Sequence, residues 1–318
     1  MRAVVVSSLI LGILVTGCSD DDDGIIQAPP GFAQIFADEF SLPEGVSPDP
    51  TKWTYDIGTG ENGWGNNEQQ YYTNATDNVS MDGEGNLVIT AREVPEELRA
   101  DFENRVYSSA RIKTQGLFEH EYGIFEARIQ LPSGQGMWPA FWMLGDDIDR
   151  VGWPRTGEID IMEYNGALPD EVSAAVHGPG FNADASIFRK YRQPERDANG
   201  EALTAENDDV VTVNFDEGFH TYTVQWDPAI ISWSVDGDEF FRLKAEEVQA
   251  TAAANCEDGS ISGGCAGFSR RDRWPFDHPF FMLLNVAVGG TFVQNQLPVE
   301  GQLPQSMKID YVRVFERL

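Results

Sequence analysis

Short segments in which apolar and polar residues alternate recur along this 318-residue chain. Asn86–Ala91, Tyr122–Ile129, Phe219–Trp226 and Ile231–Val235 place apolar side chains at roughly every second position. That is the period of a strand with one buried face. Turn signals separate them: Asp82-Gly83, Gly85-Asn86, Pro132-Ser133-Gly134, Asp236-Gly237 and Gly289-Gly290. No long segment sustains a helical period, and Glu93 to Phe102 has room for a turn or two. The strand pattern runs on to Ile309–Phe315 without an internal repeat or a second domain. Many short strands with Gly and Pro turns predict an all-β sandwich or barrel. Two polar stretches, 182–216 and 245–273, interrupt the pattern and read as loops.

The amino terminus departs from this pattern. Met1-Arg2 leads into an apolar run, Ala3 to Val15, too short for the roughly 20 residues of a membrane-spanning helix. It reads as a secretory signal over residues 1–17. Val15-Thr16-Gly17-Cys18 resembles the bacterial lipobox, which implies cleavage before Cys18 and lipidation of its thiol. An ordinary signal peptide with an incidental Cys is the other reading. Asp20 to Asp23 repel one another and keep residues 18–30 extended as a tether, leaving 31–318 as the folded domain. The resemblance places the protein at an outer membrane or cell surface, touching the membrane only through its lipid anchor.

Composition narrows the partners. The 22 Lys and Arg stand against 52 Asp and Glu, a net charge of −30. A general nucleic-acid surface needs clustered bases, so that class is excluded, and anionic lipid is disfavoured. Aromatic residues at 11% are too frequent for a disordered acidic chain. Cys256 and Cys265 flank a Gly- and Ser-rich loop. Export permits a disulfide there, contributing roughly 2–3 kcal/mol in the chain-entropy model, with two free thiols as the alternative.

Candidate chemistry concentrates in Gly157-Glu158-Ile159-Asp160-Ile161-Met162-Glu163-Tyr164. On a strand Glu158 and Asp160 share a face. Strict alternation puts Met162 beside them, and only a β-bulge near Ile161–Met162 returns Glu163 to that face. Clustered carboxylates raise at least one pKa, the condition for one group to attack while another donates a proton. Taken alone, the pattern equally fits a strand with outward acidic residues.

The rest of the chain adds a resemblance. Asp38-Glu39-Phe40, Gly63 to Thr73, Ser109 to Thr114, Leu131 to Leu144, Trp274 to Asp277 and Asn285 to Gly290 run in order around the carboxylate strand. This collinear set resembles the glycoside hydrolase family 16 laminarinases, endo-β-1,3-glucanases with a β-jelly-roll fold of two antiparallel sheets and a concave cleft. The resemblance implies Glu158 as nucleophile, Glu163 as general acid/base and Asp160 as the group that orients Glu158. A retaining pair stands about 5–5.5 Å apart. Five residues of straight strand span roughly 16 Å, so a bulge and inward-leaning side chains must close the gap.

The same resemblance implies a cleft lined by Asn67, Glu68, Gln70, Arg111, Trp138, Trp142, His177 and Trp274. Trp138 and Trp274, each before a proline, are candidate stacking platforms, and Trp142 shares the Trp138 face if the stretch is extended. No cofactor is required for catalysis. A structural Ca²⁺ is implied, held by Asp310 and the backbone oxygens of Glu39 and Gly85, which are hard oxygen donors. The expected partner is β-glucan and the expected state a monomer. Arg155-Thr156 stands where relatives often carry Ala-Ser, which together with the 182–216 stretch leaves chain-length preference open. Mixed β-1,3-1,4-glucan, agar- or carrageenan-like galactans, and a glycan-binding protein without catalysis are the alternatives.

Overall fold

The computed structural model describes residues 28–181, 185–197, 199–204, 210–257, 265, 268–269 and 271–318. The signal peptide, Cys18 and most of the tether lie outside the described residues. Among the described residues, no helix is long and apolar enough to cross a membrane, and the strands form one sheet of ten and one of seven.

The seven-stranded sheet carries the site. Its order is Ser186–Tyr191, Val172–His177, Glu158–Tyr164, Met137–Gly145, Phe280–Val288, Arg111–Lys113 and Thr54–Asp56. The main path of the ten-stranded sheet runs from Asp238–Lys244 through Ile230–Val235, His220–Trp226, Gly123–Gln130 and Gln305–Arg317 to Leu87–Glu93 and beyond. Alternation packs the two against each other. Phe141, Met143, Ile159, Ile161, Met282 and Leu284 from one sheet share a core with Phe125, Ile129, Val224, Trp233, Ile309 and Val312 from the other. Each such large side chain contributes roughly 1.5–3 kcal/mol on burial. This is one of the two architectures the strand pattern predicts, a two-sheet sandwich, in the jelly-roll form that the resemblance implies.

Three details correct the sequence expectation. Pairing is antiparallel except where Gln70–Tyr72 runs parallel to Tyr107–Ser109. The chain between them passes through Val79–Met81 and Leu87–Glu93, long enough for the crossover a parallel pair requires. The 182–216 stretch is not all loop, because Ser186–Tyr191 adds an edge strand beside Val172–His177. An edge strand with little burial shows no clear alternation, which hides it in sequence. The 245–273 stretch holds a helix, Ala245–Glu257. Its buried face is Ala245, Val248 and Ala252, too weakly apolar to print a period. Glu246 and Glu247 favour its first turn. Cys256 in its last turn is bonded to Cys265.

Candidate active site

The strand Glu158–Tyr164 is flanked by Met137–Gly145 and Val172–His177. Glu158, Ile159 and Asp160 face His177, Val176 and Ala175 in regular register, and then the register slips. Glu163 faces Ser173, so three steps on one strand match two on the other. The same slip occurs against the other neighbour, where Asp160 faces Trp142 and Met162 already faces Phe141. This is the bulge at Ile161–Met162. Both bulge side chains enter the core, and Glu163 returns to the cleft face.

Pairing across the sheet fixes the floor in rows. One row reads Phe281, Leu144, Glu158, His177 and Ser186. The next reads Leu283, Trp142, Asp160, Ala175 and Phe188. The third reads Asn285, Ala140, Glu163, Ser173 and Lys190. Above these rows lies a cleft of about 860 Å³, lined by the three carboxylates together with Glu68, Arg111, Trp138, Trp142 and His177.

The carboxylates sit in unequal surroundings. Glu158 accepts a hydrogen bond from Trp153 Nε1 at 3.0 Å, and its other oxygen lies 3.6 Å from His177 Nε2. The same imidazole nitrogen is 3.1 Å from Asp160 Oδ2. Glu163 accepts from Trp138 Nε1 at 3.2 Å. Burial, reinforced by the charge of Asp160, pushes Glu158 up to about 8, against the pull of His177 and Arg111. Burial and then Asp160 push Glu163 well above the carboxylate range, with His177 and Trp138 pulling against them. For His177, burial acts downward but the surrounding carboxylates outweigh it and lift the imidazole to about 10. Both glutamates are thus pushed toward the protonated form, while His177 and the Trp153 indole N–H pull Glu158 back toward its anion.

A second layer holds the platforms. Trp142 Nε1 donates to Asn285 Oδ1 at 2.8 Å, Asn285 Nδ2 to Tyr72 Oη at 3.1 Å, and Tyr72 Oη to Glu68 at 3.0 Å. Gln70 Nε2 donates to Glu68 at 2.6 Å, and its Oε1 accepts from the Val288 amide at 2.7 Å. Arg111, ion-paired with Asp56 at 2.9 Å, lies between the rings of Trp64 and Trp142, its guanidinium carbon 4.7 and 4.6 Å from their centres. A cation between two indoles fixes both rings.

Residues 66–262 match the family model described as glycosyl hydrolases family 16. The chain belongs to that family. The beta-glucanase of Rhodothermus marinus is 35% identical over 311 residues, which cover 97% of this chain and 93% of that relative. The laminarinase catalytic domain of Thermotoga maritima superposes with a TM-score of 0.70 at 37% identity, over 90% of this chain and 99% of that one. The endo-beta-1,3-glucanase of Pyrococcus furiosus gives 0.71 at 36% identity, over 90% and 95%.

Within this family 16 fold, three residues expected in the cleft lie elsewhere. Trp274 is buried, edge-on to Phe276 at 4.9 Å, because the strand-edge turn folds it into the core. Gln70 is buried, and both ends of its amide are used in holding Glu68 and Val288. Asn67 turns away to bond Asn295 Oδ1 at 2.8 Å. Conversely, Trp64, Trp153, Phe188, Asn285 and Phe292 line the cleft without having been singled out. Trp153, 53% exposed, precedes a proline as Trp138 does, and that shared signal could have marked it. Phe292 stacks on Trp138 at 5.0 Å and widens the platform. Of the implied calcium donors, Asp310 has its carboxylate bonded to Arg128, and Glu39 would offer its carbonyl, its side chain being taken by Arg313. An ion there would share the Asp310 carboxylate with the Arg128 guanidinium.

Proposed function

We propose that this chain cleaves internal β-1,3-linkages of laminarin-type glucan by double displacement, with Glu158 as nucleophile and Glu163 as acid/base. The carrying observation is the bulge, which sets Glu158, Asp160 and Glu163 on one floor in unequal electrostatic settings. In the first step Glu163 gives its proton to the leaving glycosidic oxygen as a Glu158 oxygen bonds to the anomeric carbon. In the second, Glu163 takes a proton from water, whose oxygen bonds to that carbon as the bond to Glu158 breaks. Asp160 and His177 form a charged pair that orients Glu158 and spreads its charge. Trp138, Trp142, Trp153 and Phe292 offer flat apolar faces for sugar rings, and Asn285 and Arg111 keep the Trp142 face still.

The cleft walls favour a neutral glucan over sulfated galactans, since every cleft carboxylate would repel a sulfate. Release of reducing ends from laminarin, lichenan and agarose, with the anomeric form of fresh product read by NMR, tests the reading. β-Anomer from laminarin is expected. Binding without release from any of the three would favour a glycan-binding role instead, and α-anomer would exclude double displacement.

Phe188 extends the floor past Ala175 toward the sheet edge and is 61% exposed. A bare ring there suits stacking on a distal sugar. Phe188→Ala is expected to raise KM for laminarin by roughly 3–10-fold, the scale of one lost aromatic contact, and to spare kcat. An unchanged KM would remove Phe188 from the substrate path.

Export and lipidation at Cys18, and with them a surface location, complete the reading. A calcium ion on Asp310 and the carbonyls of Glu39 and Gly85 would act on stability alone. A Tm that rises when Ca²⁺ is added to EDTA-treated protein, with kcat unchanged, is its expected sign. An unmoved Tm would remove the ion from this site.

A further inference from the structure

One side chain of the far sheet reaches the catalytic strand from beneath. Trp233 lies on Ile230–Val235 in the ten-stranded sheet and is fully buried. Its ring stacks at 4.6 Å on Phe241, its neighbour across the strand pair. Its Nε1 crosses the sandwich and donates to the backbone carbonyl of Asp160 at 2.9 Å. Asp160 is the last residue before the register breaks against both flanking strands. The bond therefore grips the catalytic strand at the point where its own ladder is irregular.

That point is where slippage would matter most. A strand shifted by one residue turns every later side chain to the opposite face. Loss of the bulge would direct Glu163 into the core and Met162 into the cleft. The cleft side chains that touch the carboxylates, Trp138, Trp153 and His177, hold carboxylate oxygens and not the backbone. Trp233 acts on the backbone itself, from the dry side.

We propose that Trp233 is a positioning residue for catalysis, whose N–H bond to the Asp160 carbonyl holds the bulge in the register that sets Glu163 beside Glu158. The inference rests on the roles proposed for those two glutamates. It differs from simple core packing in one respect: the N–H matters, and not only the ring.

Trp233→Phe keeps an aromatic ring against Phe241 and removes the donor. Site-specific replacement by 3-benzothienylalanine keeps the whole outline of indole and removes only the N–H, so it covers the case in which the phenylalanine variant does not fold. In the folded variant kcat on laminarin is expected to fall roughly 10–100-fold with KM within about twofold, because misplacing reacting groups by a fraction of an ångström has that effect. The alkaline limb of the pH–rate profile should move with it. An NMR titration of ¹³C-labelled glutamates, with Glu163 assigned from Glu163→Gln, reads the same change without turnover. A displaced Glu163 titration supports the proposal. If the titration, kcat and pH profile of the isostere all match the wild type, Trp233 is packing alone and the proposal fails. Inactivity of the wild type itself would count against the glucanase reading, while the titration would still decide the role of Trp233.

Discussion

Replacing Glu158 by Gln is expected to lower kcat on laminarin by more than about a thousandfold, because an amide cannot form the glycosyl ester. The fold should survive. The Gln carbonyl can still accept from Trp153, and Asp160 still holds His177. Stability gives a second, independent sign. Folding raises Glu158 from 4.5 to about 8, with burial first and Asp160 next as the causes. A carboxyl with a raised folded pKa favours the folded state fully below its ordinary value, and that contribution is lost as pH climbs through about 8. Glutamine has no such loss. The Tm of the variant should therefore meet or exceed that of the wild type above pH 8, with the gap closing toward pH 5. Turnover retained in the variant, measured alongside Tm across this range, would remove Glu158 from the nucleophile role.

Glu163→Ala tests the partner. Loss of a general acid/base lowers kcat by roughly 10²–10⁴-fold. A β-glucoside with a good leaving group needs no proton from Glu163, so its first step should be nearly spared and the glycosyl-enzyme should accumulate. Azide, which also needs no base, would then attack that intermediate from the β face and give a β-glycosyl azide. In Glu158→Ala the same anion would take the place of the carboxylate, attack from the opposite face and give the α-azide. Product stereochemistry thus assigns the two roles separately. Swapped azide anomers would exchange the roles, and absence of any azide product from both variants would argue against the double displacement.

Much of this site is visible in the order of residues. Glu158 and Asp160 alternate with apolar neighbours, and the extra residue before Glu163 points to a bulge, because no straight strand brings the third carboxylate back. Trp138 and Trp142 are four apart and lie on one face, as an extended stretch requires. The errors share a cause. Trp274 and Trp138 carry the same local signal, a tryptophan before proline, yet one is core and the other cleft. Local sequence states that a ring is present, whereas its exposure depends on which strands close over it. The resemblance implies Gln70 and Asn67 in the cleft, but their amides are taken by protein partners remote in sequence. The Ala245–Glu257 helix was hidden because its buried face is mostly alanine.

The sequence by itself determined the all-β class and the acidic strand, which depend on period-2 burial and local spacing, while its collinear motifs carried the resemblance to the family and, through it, the bulged form of that strand. Only the tertiary structure decided which aromatics face the cleft, that Arg111 is clasped by Trp64 and Trp142, and that Trp233 bonds Asp160 across the core. Those outcomes join residues from 31 positions apart, Arg111 to Trp142, to 73 apart, Asp160 to Trp233. Pairings over such separations are set by how two sheets stack, and stacking is a property of the whole packed core.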